Sequence, residues 1–191
     1  VLDTINWMAR KKGEDNICHM VTSISSLMRA SISNKRSMVY IREEIKYVQD
    51  YLYIQETRYG DKFTSYIEVD ERLNELEIPK MTIQTLVENA VIHGIENIEN
   101  EGVIRIVLKK MGTDLLVTVQ DNGAGFDVKE YFNSLEQAEN GSSREKIGLK
   151  NVDLRLRHIY GEEYRIKIKS KINTGTTIYI KIPIEEREEN V

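Results

Sequence analysis

The sequence is short of cysteine and proline, with one Cys and two Pro in 191 residues. A lone Cys18 excludes an internal disulfide and a cysteine-rich zinc site, and it fits a reducing compartment best. No run of about 20 apolar residues occurs, so no segment reads as a membrane-spanning helix. Positive charge is not in excess either. A net charge of −4 and a pI near 5.6 argue against a general nucleic-acid surface. An initiator Met and a signal-peptide pattern are both missing, and the opening Val1-Leu-Asp-Thr falls inside a helical pattern, as if taken from something longer. What is present is 40% hydrophobic and 30% charged, the balance of a soluble globular chain with room for one domain plus a small appendage.

The periodicity predicts a helix tail over residues 1–10 that stops at Gly13. A second helix follows, capped by Asp15, with Ile17, Met20, Val21, Ile24, Leu27 and Met28 on one stripe, ending at Ser31–Asn34. A hairpin of this size cannot bury a core alone, so the stripe wants another surface, in cis or from a second copy. A third helix is expected from Ile41 to Tyr59, broken at Gly60-Asp61, then a strand over Phe63–Val69. Pro79 is expected in the first turn of a fourth helix, Ile83–Gly94. Strands are expected at Val103–Lys109, Leu115–Gln120, Tyr164–Ile172 and Thr176–Ile182, with a long polar loop over 127–145 and a helix opened by Gly148 and running from Leu149 to Tyr160. Paired strands with helices beside them predict an α+β fold: a two-layer sandwich of a mixed or antiparallel sheet with helices on one face, preceded by a truncated helical hairpin.

Four stretches carry chemistry. In the fourth helix, Asn89 and His93 are four residues apart on one flank of the packed face. Glu88 lies about 100° away on the other. A carboxamide oxygen is a hard ligand that Mg²⁺ accepts beside phosphate oxygens. Taken alone, that helix reads better as an ordinary amphipathic helix with a polar margin. An apolar strand then ends on Asp121, followed by Gly123 and Gly125. A buried carboxylate there can accept a ligand donor such as the adenine amine, with bare backbone passing close by. The Asp-Xaa-Gly-Xaa-Gly spacing arises by chance in roughly one chain of twenty this long, and a hairpin turn explains it as well. Lys146-Ile-Gly-Leu-Lys-Asn151 places Gly148 at an expected helix start, where free N–H groups and the helix dipole suit phosphate. Gly175-Thr-Thr177 turns into the last strand with hydroxyls to offer.

Together and in this order, the four resemble a known superfamily. Glu-Asn-Ala-Val-Ile-His-Gly94 resembles the N box of the gyrase, heat-shock chaperone, histidine-kinase and mismatch-repair ATPases. Asp121–Gly125 resembles their G1 box, Gly148–Asn151 their G2 box, and Gly175-Thr176 their last conserved turn. Ile41-Arg-Glu-Glu-Ile, Tyr51-Leu-Tyr-Ile-Gln-Glu-Thr-Arg-Tyr-Gly, Ile78-Pro-Lys and Leu149–Gly161 are similar to LytS/YesM-type sensor histidine kinases. The resemblance implies ATP and Mg²⁺ as cofactors. It implies that Asn89 coordinates Mg²⁺ on the phosphates, that Glu88 is the catalytic acid–base or orienting group, and that His93 stands near the phosphates. It implies further that Asp121 binds the adenine amine, that Gly123, Gly125 and Gly148 hinge a lid and line the pocket with Leu149 and Asn151, and that Thr176 supports the base through its hydroxyl.

Two departures from the family pattern stand out. Lys146 occupies a position where the G2 box often has glycine. The family's phosphoacceptor segment, His-Phe-Leu-Tyr-Asn-like, is absent, while Val1–Trp7 resembles the words that follow it, which puts the acceptor just upstream of Val1. His19 matches no acceptor pattern, and His158 reads as structural or solvent-facing. The expected division is 1–36, a partial dimerisation and phosphotransfer hairpin without its acceptor histidine, and 37–191, an ATP-binding catalytic domain. The implied function is transfer of the ATP γ-phosphoryl to that upstream histidine and then to a response regulator. The implied partners are that regulator and a second copy in the full-length protein, with no nucleic acid and no direct membrane contact from this part. The expected location is the cytoplasmic side of the cell membrane, with a membrane-anchored parent. The alternatives are a stand-alone ATPase clamp, disfavoured because Thr85 stands where such relatives carry a water-activating glutamate, and a nucleotide-binding interaction module. Other kinase chemistries lack their signatures: there is no Gly-x-x-x-x-Gly-Lys-Ser/Thr loop and no His-Arg-Asp or Asp-Phe-Gly set.

Overall fold

The computed structural model describes residues 1–32, 36–96, 98–99, 101–131 and 144–184, with 144–147 described as backbone only. Two helices, α1 (Leu2–Lys12) and α2 (Asp15–Ile32), make the N-terminal hairpin. Gly13 ends α1 at φ 72°, and the Gly13 and Glu14 N–H groups return to the carbonyls of Arg10 and Ala9. A left-handed glycine satisfying the last carbonyls in this way stops a helix sharply. After β1 (Met38–Tyr40), helix α3 (Ile41–Tyr59) opens with the Glu43 carboxylate accepting the Tyr40 N–H at 3.0 Å. Then follow β2 (Phe63–Val69), β3 (Glu77–Pro79), α4 (Thr82–Asn89), β4 (Gly102–Met111) and β5 (Asp114–Asp121). The chain closes with α5 (Arg144–Tyr160), β6 (Lys167–Lys171) and β7 (Gly175–Pro183).

The fold is the α+β sandwich expected. Five strands run in the order β2-β4-β5-β7-β6, with β2 parallel to β4 and every other pairing antiparallel. Side chains alternate across a strand, so Ile104, Ile106 and Leu108 on β4, Leu115, Val117 and Val119 on β5, and Ile178, Ile180 and Ile182 on β7 all point inward and are buried. Against them lie Val48 and Leu52 of α3, Ile83, Leu86 and Val87 of α4, and Val152 and Leu156 of α5. Each fully buried side chain of this size contributes about 1.5–3 kcal/mol relative to exposure.

Three local expectations change. Pro79 does not begin α4. It closes β3, which pairs antiparallel with β1, and Met81 at φ 59° turns the chain before Thr82 starts the helix. The fourth helix is regular only to Asn89. From Ala90 to Ile95 it opens into a π-turn, with the Glu96 N–H bonding the Val91 carbonyl at 2.9 Å. Nor does Gly148 open a helix. α5 starts at Arg144, because Arg, Glu and Lys in its first turn are good helix formers that carry the helix through the glycine. Of the long polar loop, residues 132–143 lie outside the described set, while Asp127 starts a short turn in which the Tyr131 N–H bonds its carbonyl at 3.0 Å.

Candidate functional site

The end of β5, the π-turn after α4, the start of β7 and the front of α5 meet around a cavity of about 280 Å³. Its walls are Asn89, Ala90, His93, Gly94, Asp121, Gly125, Phe126, Tyr131, Leu149, Thr176 and Ile178. Asp121 sits at its floor, 6% exposed. Its Oδ1 accepts the N–H of Gly123 at 2.9 Å and that of Thr176 at 3.2 Å. Oδ2 accepts no hydrogen bond among the described residues. Burial pushes this carboxyl up to about 6, against the pull of the two backbone donors.

Close backbone packing puts the carboxylate there. A Cβ on Gly94 would lie 2.7 Å from Asp121 Oδ1, and one on Gly123 would run into the Gly94 carbonyl. That carbonyl also accepts the Ala124 N–H at 2.9 Å, so the π-turn and the loop after β5 are tied main chain to main chain. A π-turn widens the helix by one residue, and such turns gather at functional sites. Here it swings Gly94 under Asp121.

At the other side, Asn89 Nδ2 donates to the Thr85 carbonyl at 2.7 Å, which orients the carboxamide and leaves its Oδ1 unbonded among the described residues. His93 is exposed at the cavity margin. Thr176 sends its N–H to Asp121, while its Oγ1 is 2.8 Å from Ser170 Oγ. Phe126 and Tyr131 form a tilted aromatic pair, centroids 5.1 Å apart.

Six of the residues singled out from sequence, Asn89, His93, Asp121, Gly125, Leu149 and Thr176, therefore share one cavity. Gly123 shapes its floor from behind. Gly148 lies in the second turn of α5, facing Thr85 and Asn89, so its N–H is within the helix and is not a free donor at a helix start. Asn151 is exposed and off the wall. Glu88 departs furthest from expectation. It lies on the α3 side of α4, where Gln84 Nε2 donates to its Oε1 at 2.9 Å, and it does not line the cavity. Burial raises its pKa, with the Gln84 bond pulling the other way. The side chain of Lys146, which stands where the G2 box often has glycine, lies outside the described residues. His158 is exposed, and the His19 ring stacks on Tyr53 at 3.8 Å.

Sequence reasoning missed the apolar walls Ala90, Phe126, Tyr131 and Ile178. It also missed Glu44, a fully buried carboxylate of α3 that accepts the N–H groups of Met81, Ile83 and Gln84 at the start of α4. Arg155 of α5 donates to Thr82 Oγ1 at 3.2 Å, and burial pushes the Glu44 carboxyl up against the pull of the three backbone donors and of the Arg155 charge. No signal in the sequence marks Glu44, since an acid in the first turn of a helix ordinarily faces solvent.

Comparison with known proteins follows the same layout. Residues 1–63 match a family described as histidine kinase, and residues 77–186 one described as histidine kinase-, DNA gyrase B-, and HSP90-like ATPase. Sensor histidine kinase YesM of Bacillus subtilis is 35% identical over 182 residues, 95% of this chain and 30% of that protein. Sensor histidine kinase YpdA of Escherichia coli is 34% identical over 88% of this chain and 29% of its own length. The chain thus spans about a third of the length of these curated relatives or less. Among solved structures, the catalytic domain of histidine kinase ThkA superposes with a TM-score of 0.57 at 20% identity over 77% of this chain and 96% of its own. The histidine kinase domain of the Erythrobacter litoralis blue-light activated kinase gives 0.53 at 17% identity over 96% and 82%. At these identities the likeness concerns the fold. With more than half its residues matched, from the β3 strand to the end of β7, the chain belongs to the histidine kinase-, DNA gyrase B- and HSP90-like ATPase family.

Proposed function

We propose that this chain is the ATP-binding catalytic part of a two-component sensor histidine kinase, residues 37–191, joined to part of its dimerisation and phosphotransfer hairpin, residues 1–36. The observation that carries the reading is the pairing across one cavity of a buried carboxylate with an open oxygen, Asp121, and a carboxamide with an open oxygen, Asn89. The first accepts the exocyclic amine of adenine. The second suits a hard cation. A cavity of about 280 Å³ holds a base between apolar walls and leaves the phosphates to the exposed margin at His93.

Among the described residues no cluster of three or more His, Cys, Asp or Glu side chains could hold a metal unaided. That accords with Mg²⁺, which takes few protein groups and completes its shell with phosphate oxygens and water. Asn89 fits it as a single neutral oxygen ligand. When bound, Mg²⁺ neutralises charge on the β- and γ-phosphates. The residues of this chain do the positioning: Asp121 fixes the base, Leu149 and Ile178 exclude water from it, and Thr85 holds the carboxamide of Asn89 in place. Thr85 spends its own hydroxyl on the Met81 carbonyl at 2.6 Å and offers no carboxylate to activate water, which favours transfer to a protein histidine over a hydrolytic clamp. Glu88, on the flank toward α3, is assigned to the incoming histidine rather than to the nucleotide. The γ-phosphoryl then passes to a response regulator. The parent is assigned to the membrane, with this part on the cytoplasmic side. Among the described residues themselves, no helix is long and apolar enough to cross one.

Titration calorimetry with Mg·ATP tests the pocket. The unaltered chain binds, and Asp121→Asn, which turns an amide donor toward the adenine amine, weakens binding at least tenfold. Equal affinity in the two proteins would remove the assignment. Incubated with labelled ATP, the 191-residue chain gains no acid-labile phosphate, whereas a longer form that includes the upstream histidine does.

A further inference from the structure

The sheet face that α3, α4 and α5 leave uncovered has a charge opposite to that of the whole chain. Alternation along the strands turns Arg105 and Lys109 of β4, Lys181 of β7, and Lys167, Lys169 and Lys171 of β6 outward. Only two carboxylates of the paired strands share that face, Glu68 and Asp114. The molecule carries −4 overall, so these cations stand out against an otherwise acidic surface. Lys181 reaches Asp114 at 3.7 Å, but Lys109, Lys167 and Lys171 make no ion pair among the described residues.

The register gives the cations a spacing. Arg105 lies across from Gln120, which pairs with Thr177, which pairs with Lys169. In the same way Lys109 lies across Leu116 from Lys181. Strands about 4.8 Å apart therefore set two rows of cations roughly 10–14 Å wide, with neutral Leu116, Thr118 and Gln120 of β5 down the middle. Like charges gathered on one face repel, and an anionic partner relieves that repulsion.

Two features choose among anionic partners. Tyr66 and Tyr179 lie beside cations, Arg105 at 5.4 Å and Lys169 at 5.5 Å, and only Tyr66 is exposed, so the face lacks the series of open rings on which successive bases stack. A sheet also twists by about 20–25° per strand, so five strands offer no plane for a bilayer to lie on. A folded protein can follow a twisted surface. We propose that this face docks an acidic surface of another protein, with carboxylates opposite the Arg105–Lys169 and Lys109–Lys181 rows. The proposal is independent of the nucleotide reading, since none of these side chains lines the cavity.

Fluorescein-labelled poly-L-glutamate, followed by anisotropy at low salt, is the probe. The unaltered chain binds it, and binding weakens as salt rises. The triple variant Lys109→Glu, Lys167→Glu, Lys169→Glu binds at least tenfold more weakly, whereas Lys11→Glu with Lys12→Glu on α1 stays within about twofold of the parent. A circular-dichroism spectrum and melting temperature equal to the parent's show that the triple variant is folded; if it is not, the corresponding Lys→Gln triple replaces it, with the same direction expected. The proposal is overturned if polyglutamate does not bind, or binds the triple variant as well as the parent. It is equally overturned if a single-stranded oligonucleotide of equal charge or phosphatidylserine vesicles bind ten times more tightly than polyglutamate. Self-association that the triple variant alone abolishes would assign the face to a second copy instead.

Discussion

Asp121 is a costly residue for an empty protein to keep. Its carboxyl is raised from 3.8 to about 6 by burial, so the folded chain holds that proton more tightly than the unfolded chain. The stability it contributes is present at low pH and is lost as pH rises from about 4 to about 6. By neutral pH the loss is on the order of 3 kcal/mol. Asp121→Asn should therefore hold or raise the melting temperature at pH 7 while weakening nucleotide binding at least tenfold, a pairing that simple misfolding cannot produce. Only the ionised carboxylate accepts from the adenine amine without competition from its own proton. Binding of adenosine, which carries no phosphate to titrate, should strengthen as pH rises through about 6 and level off above 7. A flat profile from pH 5 to 8, measured by calorimetry, would mean that Asp121 does not meet the base.

Helix α4 is held at both ends by contacts remote in sequence. At its start the Glu44 carboxylate takes three backbone N–H groups that would otherwise be orphaned, with Arg155 supplying the countercharge. Glu44→Ala should cost about 3–5 kcal/mol, as removal of one member of a buried charged network does. Glu44→Gln keeps an acceptor oxygen and should cost distinctly less. Urea denaturation of the two variants checks the order, and equal costs would mean that volume rather than hydrogen bonding matters there. This also marks where the sequence stops being informative. Asp121, Gly125, Asn89 and His93 stood out because each sits in a short run whose spacing is local. Glu44 and Arg155 did not, because their role depends on partners some 37 to 73 residues away. The strands β1 and β3, three residues each, are too short for any alternation to register. The π-turn has no periodic signature either, so Gly94 read as one more packed position. Phe126 and Tyr131 reach the cavity only because the chain after β5 folds back over it.

For the whole molecule, the hairpin presents two faces of α2 with different uses. Ser23, 0% exposed, donates to Asp50 of α3 at 3.2 Å, and Ala30 and His19 lie on the same side. About 120–140° around the helix, Ile17 and Met28 remain 46% and 50% exposed, joined by Ile5, Trp7 and Met8 of α1. One face is thus docked on α3; of the apolar stripe legible in the sequence, Val21 is buried and Leu27 packs on the core, while Ile17 and Met28 stay open. A second copy covers such a stripe by pairing hairpin with hairpin, as in a four-helix bundle. Sedimentation should then show self-association that grows with concentration, and the fluorescence of Trp7, the only tryptophan, should shift to the blue in step with it. Ile17→Glu with Met28→Glu should leave a monomer with unchanged Mg·ATP affinity, because both side chains are exposed and neither lines the cavity. If that double variant self-associates as strongly as the parent, Ile17 and Met28 are not the contact between copies.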